Sequence, residues 1–175
     1  YATQENCICI DSSSAYRMDD NVPLIIPEIN PHAIVNHKNI ISSPNCTTTI
    51  MLMPIFNIHK KYRIKRIIAS TYQAASGGGK KMLEKLHTDT KNVLEKKENR
   101  IDDPRNYGFN IFLHESPLQE NLYSQEEIKM LHETRKILED DTINVSATCV
   151  RVPVIRTHSI GINIELENDF DIEEI

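Results

Sequence analysis

Two stretches in the C-terminal third alternate between apolar residues and polar or small ones, and they constrain the fold more than any other feature. A period of two residues predicts strands with one buried face. Helical spacing predicts an amphipathic helix over residues 80–97, and Ser124 and Glu127 form a capping box that begins another. Because strands and helices do not alternate regularly, the sequence predicts an α+β fold. The alternating apolar residues are Ile143, Val145, Ala147, Cys149, Ile160, Ile162, Ile164 and Leu166.

The N-terminal third is predicted to be less regular. Residues 7–10 are apolar and predict a short buried strand, in which Cys7 and Cys9 are core thiols. Residues 22–29 are apolar but contain two prolines, which limits them to an edge strand or an extended loop. Residues 38–45 are predicted to be a polar connection, and residues 66–72 a strand.

Composition and charge exclude several classes of protein. The 175 residues carry a net charge of -5, so no global attraction favours nucleic acid or an anionic membrane. No apolar run reaches the roughly 20 residues of a membrane helix. The four cysteines lack the neighbours that a metal site needs, and their sparseness predicts a reducing compartment such as the cytosol.

Both ends of the sequence are expected to lie inside a longer protein. The chain opens on Tyr1 rather than on Met. Residues 170–175 are predicted to begin an amphipathic helix that is not completed.

Cys46 is the first candidate for chemistry. A helix is predicted to start near it and to run to Lys60, with Asn45 as the N-cap and with Pro54 kinking or shortening the helix. A helix N-terminus lowers the pKa of a thiol and presents N–H groups to a developing oxyanion. The alternative interpretation is a buried structural thiol.

His158 and Arg151 form a second candidate pair, between two predicted strands. An imidazole titrates near neutral pH, and a guanidinium presents a planar fork to a carboxylate. Seven residues separate the two, so a continuous strand would place them on opposite faces. Pro153 predicts a bend that lets both reach one pocket. Taken alone, the histidine is also consistent with an ordinary surface or core residue, and the arginine with a surface ion pair.

Three weaker candidates complete the list. Glu126 and Lys129 lie three residues apart on one predicted helix face, where a solvated ion pair is the simpler interpretation. Arg17 follows a serine-rich turn and could meet an anion. Residues 76–79, Ser-Gly-Gly-Gly, could let the backbone approach a ligand closely, but they form neither a Walker nor a Rossmann signature.

Four stretches in the same order resemble aspartate-semialdehyde dehydrogenases. Residues 43–48 contain Asn45-Cys46-Thr47, similar to the N-C-[ST] motif of that family. Residues 67–77 resemble its S-T-Y-Q-A-x-S-G stretch. Residues 149–159 resemble C-V-R-V-P-V-x-R-x-H-S, and residues 11–18 resemble D-x-S-S-A-[FY]-R-M. The resemblance extends over nearly the whole chain.

The resemblance implies an NADPH-dependent reductive dephosphorylation of L-4-aspartyl phosphate to L-aspartate 4-semialdehyde, in the biosynthesis of lysine, threonine and methionine. An acyl-enzyme would form on cysteine, which divides one hard reduction into two steps. The implied catalytic residues are Cys46 as nucleophile, His158 as acid–base residue and Gln73 to orient the acyl group. The implied binding residues are Arg151 for the α-carboxylate, Glu126 for the amino group, Arg17, Lys129 and Asn45 for the phosphate, and Ser76 and Gly77 for NADPH/NADP.

The same resemblance implies an architecture and partners. It predicts a mixed sheet with helices packed on one face, as in the catalytic domain of glyceraldehyde-3-phosphate dehydrogenase, incomplete at both ends. Residues 1–45 would be the end of a nucleotide-binding domain and the crossover, and residues 46–175 the catalytic and dimerisation domain. A homodimer is expected, with no metal, in the cytoplasm or in a plastid stroma. The chain alone is expected to bind NADPH poorly and to be inactive.

Two departures from the family pattern and two alternatives accompany this prediction. Residues 77–79 are Gly-Gly-Gly where many members have Gly-Ala-Gly, and Ile160-Gly161 replaces Glu-Ala. One alternative is a non-catalytic dimerisation scaffold that retains the motifs. The other is a different acyl-phosphate reductase, such as N-acetyl-glutamyl-phosphate reductase, in which the nucleophile resembles Asn-Pro-Gly-Cys-Tyr.

Overall fold

The computed structural model describes residues 7–96 and 103–174, and within them the chain forms an α+β fold. A two-stranded parallel sheet pairs β1 with β2, and a four-stranded sheet has the order β4-β5-β3-β6, with β4 antiparallel to β5. The predicted fold class is therefore confirmed. In chain order the elements are β1 (Cys9–Asp11), a 3₁₀ helix (Pro31–Asn36), β2 (Ile40–Ser42), α1 (Cys46–Tyr62), β3 (Ile64–Gln73), a 3₁₀ helix (Ala75–Gly78), α2 (Gly79–Leu94), β4 (Phe112–Leu113), α3 (Gln125–Leu138), β5 (Asn144–Arg151), β6 (Ser159–Leu166) and a 3₁₀ helix (Ile172–Glu174).

Helix α1 begins at Cys46 as predicted but is longer than expected. It continues past Pro54 to Tyr62, so Pro54 does not shorten it, and the alternative expectation of a kink at Pro54 stays a prediction. A proline inside a helix leaves the carbonyl four residues earlier without its N–H partner. Pro54 and Ile50 are both exposed, so water can satisfy that carbonyl.

The other predicted helices and the long strands are found close to their expected positions. α2 and α3 match the two amphipathic stretches, and β5 and β6 match the two alternating runs. The ends of two predictions, at residue 97 and at Ile175, lie outside the described residues. Residues 170–174 contain only the short 3₁₀ helix rather than the start of an α-helix.

Two predictions for the N-terminal third are wrong. Cys7, Cys9 and their apolar neighbours are exposed rather than buried, with Ile10 at 76% exposure. β1 pairs only with the three-residue strand β2, which is too small to cover its side chains. β2 itself lies within residues 38–45, which the sequence predicts to be a polar connection.

Strand β3 shows the two faces of the larger sheet. Ile67, Ala69 and Thr71 alternate on a buried face, and Ile68 and Tyr72 lie on an exposed one. A half-buried strand of this kind is expected where helices cover a single face of a sheet.

The chain divides into two compact units, which are described separately. The first consists of Tyr1–Ala69, Glu127–Ala147 and Ile162–Ile175, and the second of Ser70–Glu126 and Thr148–Gly161. In the second unit an apolar cluster centres on Tyr107, whose ring meets that of Phe112 edge-on at 4.9 Å between centroids. Leu86, on α2, belongs to the same cluster, which fixes α2 in that unit.

Candidate active site

In the first unit, Cys46 is the first residue of helix α1 and is exposed. The Asn45 side chain caps the helix: its Oδ1 accepts hydrogen bonds from the backbone N–H of Thr47, at 2.8 Å, and from the Thr47 hydroxyl. The predicted helix start and N-cap are therefore confirmed. The cap holds the first turn in place, so the position of the Cys46 thiol is defined by the helix rather than by a loose loop.

A buried glutamate on α3 joins this turn to Arg17. Glu133 is 1% exposed, and its two carboxylate oxygens have different partners. Oε1 accepts a hydrogen bond from Nη1 of Arg17 at 3.0 Å, and Oε2 accepts one from the backbone N–H of Asn45 at 2.7 Å. Arg17 also donates to the carbonyls of Ser43 and Ser12. Arg17 and Asn45, both predicted to bind phosphate, are thus brought together by a residue that the sequence prediction omitted.

Lys129 is the remaining candidate in this unit and lies half-buried on α3. Another lysine of α3, Lys136, donates to the carbonyls of Arg17, Asp19 and Val22 at 2.7–3.0 Å. The loop that carries Arg17 is therefore fastened to α3 by both Glu133 and Lys136.

In the second unit, the end of β3 and the following 3₁₀ helix bring together three predicted residues. A Cβ atom built at Gly77 would lie 2.9 Å from Cε1 and Nε2 of His158 and 3.3 Å from Nη1 of Arg151. Only glycine leaves room for both side chains at this point. The bend expected after Arg151 is present: β5 ends at Arg151, β6 begins at Ser159, and both candidates reach one place.

His158 is held in one protonation state by its surroundings. Its Nδ1 accepts a hydrogen bond from the backbone N–H of Ala74 at 3.0 Å. An imidazolium has hydrogens on both nitrogens, so this bond requires the neutral ring with its hydrogen on Nε2. Burial, and then the positive charge of Arg151, lower the pKa of His158, and the charge of Glu126 opposes them. The Nε2–H can therefore serve as a donor near Gly77.

Arg151 is 3% exposed and is paired with Glu115. Nε and Nη2 of Arg151 donate to the two oxygens of Glu115 at 2.9 and 2.6 Å. Burial would lower the pKa of Arg151, but the hydrogen bond and the charge of Glu115 outweigh it and raise the pKa. Burial would likewise raise the pKa of Glu115, but the bonds from Arg151 lower it to about 2. Both side chains are therefore charged at neutral pH.

Gln73 and Glu126 are both buried in this unit. The Gln73 side chain donates from Nε2 to Oγ1 of Thr71 at 3.1 Å, and its backbone carbonyl accepts from Val152, which joins β3 to the segment after β5. The backbone N–H of Glu126 donates to Oγ of Ser116 at 3.0 Å. The Glu126 carboxylate is close enough to influence the pKa values of Arg151 and His158.

Sequence reasoning missed Glu133 and Glu115. Glu133 follows Glu126 by seven residues, so it lies on the same face of α3, and that spacing was a usable signal. Glu115 lies in an irregular segment and has no periodic signal. Among the described residues, no group of three or more histidine, cysteine, aspartate or glutamate side chains could hold a metal ion, and no helix is long and apolar enough to cross a membrane.

Comparison with known proteins identifies a family that the chain resembles over nearly its whole length. The dimerisation domain of semialdehyde dehydrogenases matches residues 52–175, and their NAD-binding domain matches residues 1–37. Aspartate-semialdehyde dehydrogenases of Prochlorococcus marinus and of a Synechocystis species are each 45% identical, over 95% and 98% of this chain. The chain spans about half the length of these relatives, 49% and 51%.

The fold is also found among solved structures. The crystal structure of aspartate semialdehyde dehydrogenase II from Vibrio cholerae complexed with ASA superposes with a TM-score of 0.92 at 35% identity. The superposition covers 99% of this chain and 52% of that one. The domain match extends over more than half of the sequence, and the chain therefore belongs to the semialdehyde dehydrogenase family.

Proposed function

We propose that this chain supplies the catalytic part of an aspartate-semialdehyde dehydrogenase. The reaction is the reductive dephosphorylation of L-4-aspartyl phosphate to L-aspartate 4-semialdehyde, in the biosynthesis of lysine, threonine and methionine. The observation that carries the proposal is the convergence of His158 and Arg151 at Gly77. A proton donor and a carboxylate receptor at one point of the backbone suit a small acidic substrate. The names of the relatives support the same substrate.

Cys46 is the proposed nucleophile. Its thiolate attacks the acyl carbon of aspartyl phosphate, a C–S bond forms, and the C–O bond to phosphate breaks. The thioester then accepts a hydride, and the C–S bond breaks to release the aldehyde and the thiolate. The backbone N–H groups of the first turn of α1 point toward the end of the helix where the thiol lies, and they favour a developing negative charge.

His158 is the proposed acid–base residue. Because its Nδ1 already accepts a bond from Ala74, only Nε2 is available to the substrate. The neutral ring donates a hydrogen bond from Nε2–H to the oxygen that becomes negative in the reaction, and because burial lowers the pKa of His158 the ring stays neutral while it does so.

The remaining roles concern binding. Arg151 receives the α-carboxylate of the substrate and Glu126 its amino group, and Gln73 orients the acyl group. Arg17, Lys129 and Asn45 bind the phosphate, whose negative charge suits the two cations.

Ser76 and Gly77 are the proposed contacts of the NADPH cofactor. Gly77 is exposed, has no side chain and lies beside His158, so a flat ring can approach its backbone. The NAD-binding domain match over residues 1–37 supports a dinucleotide. When bound, the cofactor supplies the hydride.

The protein is further proposed to act as a homodimer in the cytoplasm. The match to a dimerisation domain supports the dimer. Exposed cysteines, including Cys46 and Cys9, suit a reducing compartment, where thiols persist.

The test is an assay of the protein expressed from its complete gene. Phosphate-dependent reduction of NADP is measured with aspartate semialdehyde, for wild type, Cys46→Ala and the exposed control Cys9→Ala. We expect full activity in wild type and Cys9→Ala, and a loss of at least about 10³-fold in Cys46→Ala, since a nucleophile cannot be replaced by a methyl group. A folded wild-type protein that binds NADP but shows no activity would favour a non-catalytic scaffold.

A further inference from the structure

The proposed receptor of the substrate carboxylate is already occupied by a carboxylate of the protein. Glu115 bonds to Arg151 through both oxygens, at 2.6 and 2.9 Å, in the two-point geometry that an external carboxylate would use. Glu115 therefore occupies the edge of the guanidinium, formed by Nε and Nη2, that is best suited to a carboxylate ligand.

The other donors of Arg151 are almost all engaged as well. A guanidinium has five N–H groups. Two of those on Arg151 bond to Glu115, a third from Nη2 points to Nε2 of His114 at 3.0 Å, and a fourth from Nη1 donates to the Ala74 carbonyl at 3.3 Å. Within the described residues, a single Nη1 hydrogen remains. A substrate carboxylate can reach a two-point contact only if one of these partners leaves.

Glu115 is the partner that can leave. Its side chain is 30% exposed, whereas that of Arg151 is 3% exposed. Glu115 lies in the segment between β4 and α3, outside any regular element, so its side chain can turn into water without breaking a helix or strand. The Ala74 carbonyl is part of the backbone between β3 and the following 3₁₀ helix and cannot move in this way.

We propose that Glu115 competes with the substrate's α-carboxylate for Arg151 and so sets the affinity and selectivity of this subsite. The proposal rests on the function proposed above. In the ligand-free state Glu115 neutralises the buried guanidinium. On binding, the ligand carboxylate takes over Nε and Nη2, and Glu115 turns outward.

This exchange has two physical consequences. The buried charge of Arg151 is paired in both states, so the empty site avoids the cost of an uncompensated buried cation. A molecule without a carboxylate cannot replace Glu115, because it offers the guanidinium no equivalent partner. The competition thus rejects neutral analogues at the expense of some affinity for the true substrate.

The test compares Glu115→Gln with wild type in the protein expressed from its complete gene. A glutamine is the same size but has no charge, and its NH₂ group opposes the donors of Arg151. We expect the KM for aspartate semialdehyde to fall by roughly fivefold or more, with kcat and the KM for phosphate changed by less than about twofold. A purely structural role would alter kcat or both KM values together.

Two further variants secure the interpretation. Glu120→Gln removes the same charge from an exposed residue of the same segment and is expected to leave every constant unchanged. Glu115→Asp keeps the charge but is one methylene too short for the two-point pair, and an intermediate fall in KM is expected. This variant carries the test if Glu115→Gln does not fold.

The outcomes separate the two proposals. A wild-type protein without phosphate-dependent activity defeats the proposed function and this inference with it. An active wild type whose KM is unchanged in Glu115→Gln and Glu115→Asp overturns the inference alone. A raised KM in Glu115→Gln also overturns it, since Glu115 would then be assisting binding, for example by receiving the substrate's ammonium group.

Discussion

At the scale of single residues, His158 is governed by two neighbours that act in the same direction. The Ala74 N–H requires an unprotonated Nδ1, and the charge of Arg151 disfavours a second positive charge nearby. Burial is the largest cause and the charge of Arg151 adds to it, so the pKa of His158 lies below its usual 6.5. The ring is therefore neutral at pH 7, and stability is lost as the pH falls below 6.5, because only the unfolded chain then binds the proton freely.

Replacing Arg151 by Gln is expected to raise the pKa of His158. The substitution removes a cation, and it leaves the carboxylates of Glu126 and Glu115, of which Glu126 already raises this pKa. The measurement is an NMR titration of the His158 Cε1 proton. Arg156→Gln, at an exposed arginine two residues away, is the matched control and should leave the titration unchanged. An unchanged midpoint in Arg151→Gln would mean that burial alone governs the ring.

The sequence predicted where the candidate site residues lie in the fold better than it predicted which side chains they pair with. The bend after Arg151 could be anticipated from Pro153, and the helix start at Cys46 from Asn45. For Glu133 only its position on the Glu126 face of α3 could be anticipated, and the pairing of Glu133 with Arg17 and of Glu115 with Arg151 could not. Glu133 lies 116 residues from Arg17 in the chain, and Glu115 lies 36 residues from Arg151. Ion pairs over such separations leave no local pattern, because they depend on how the elements pack.

At the scale of elements, the quality of prediction followed the length of each element. β5 and β6 were predictable because each is 8 residues long, and apolar and polar residues alternate along them often enough to show which side chains face the core. β1 and β2 have three residues each, which is too few to show an alternating pattern in the sequence. They form strands only because they pair with each other, and that pairing leaves the side chains of β1 exposed. The apolar run at residues 7–10 therefore gave a wrong prediction of a buried strand.

Glu133 is expected to be the main link between α3, the start of α1 and the loop that carries Arg17. Glu133→Gln should destabilise the fold by about 3 kcal/mol, because it leaves the guanidinium of Arg17 buried without a countercharge. The measurement is urea unfolding followed by circular dichroism. Glu139→Gln removes a carboxylate from the residue that directly follows α3, where its pair with His32 is exposed, and should cost less than about 1 kcal/mol.

Equal effects of the two substitutions would contradict this view of Glu133. They would show that Arg17 can turn toward water when its partner is removed, and that the loop is held by Lys136 alone.

At the scale of the whole molecule, the exposed face of β3 is a candidate surface for dimer formation. Ile68 and Tyr72 are 42% and 46% exposed on a strand whose other face is buried. Exposed apolar side chains on one open sheet face are typical of surfaces that become covered by a partner. The match to a dimerisation domain favours a second copy of the same chain as that partner.

We therefore expect Ile68→Asp to convert a homodimer into monomers. In a two-fold symmetric interface each substitution occurs twice, and two carboxylates would be desolvated against each other. The measurement is light scattering after size exclusion at micromolar concentration, on the protein expressed from its complete gene. Val35→Asp, at a residue that is 82% exposed in the first 3₁₀ helix, introduces the same charge and should remain dimeric. A dimer that survives Ile68→Asp but dissociates in Val35→Asp would move the interface from the sheet to the region around Pro31–Asn36.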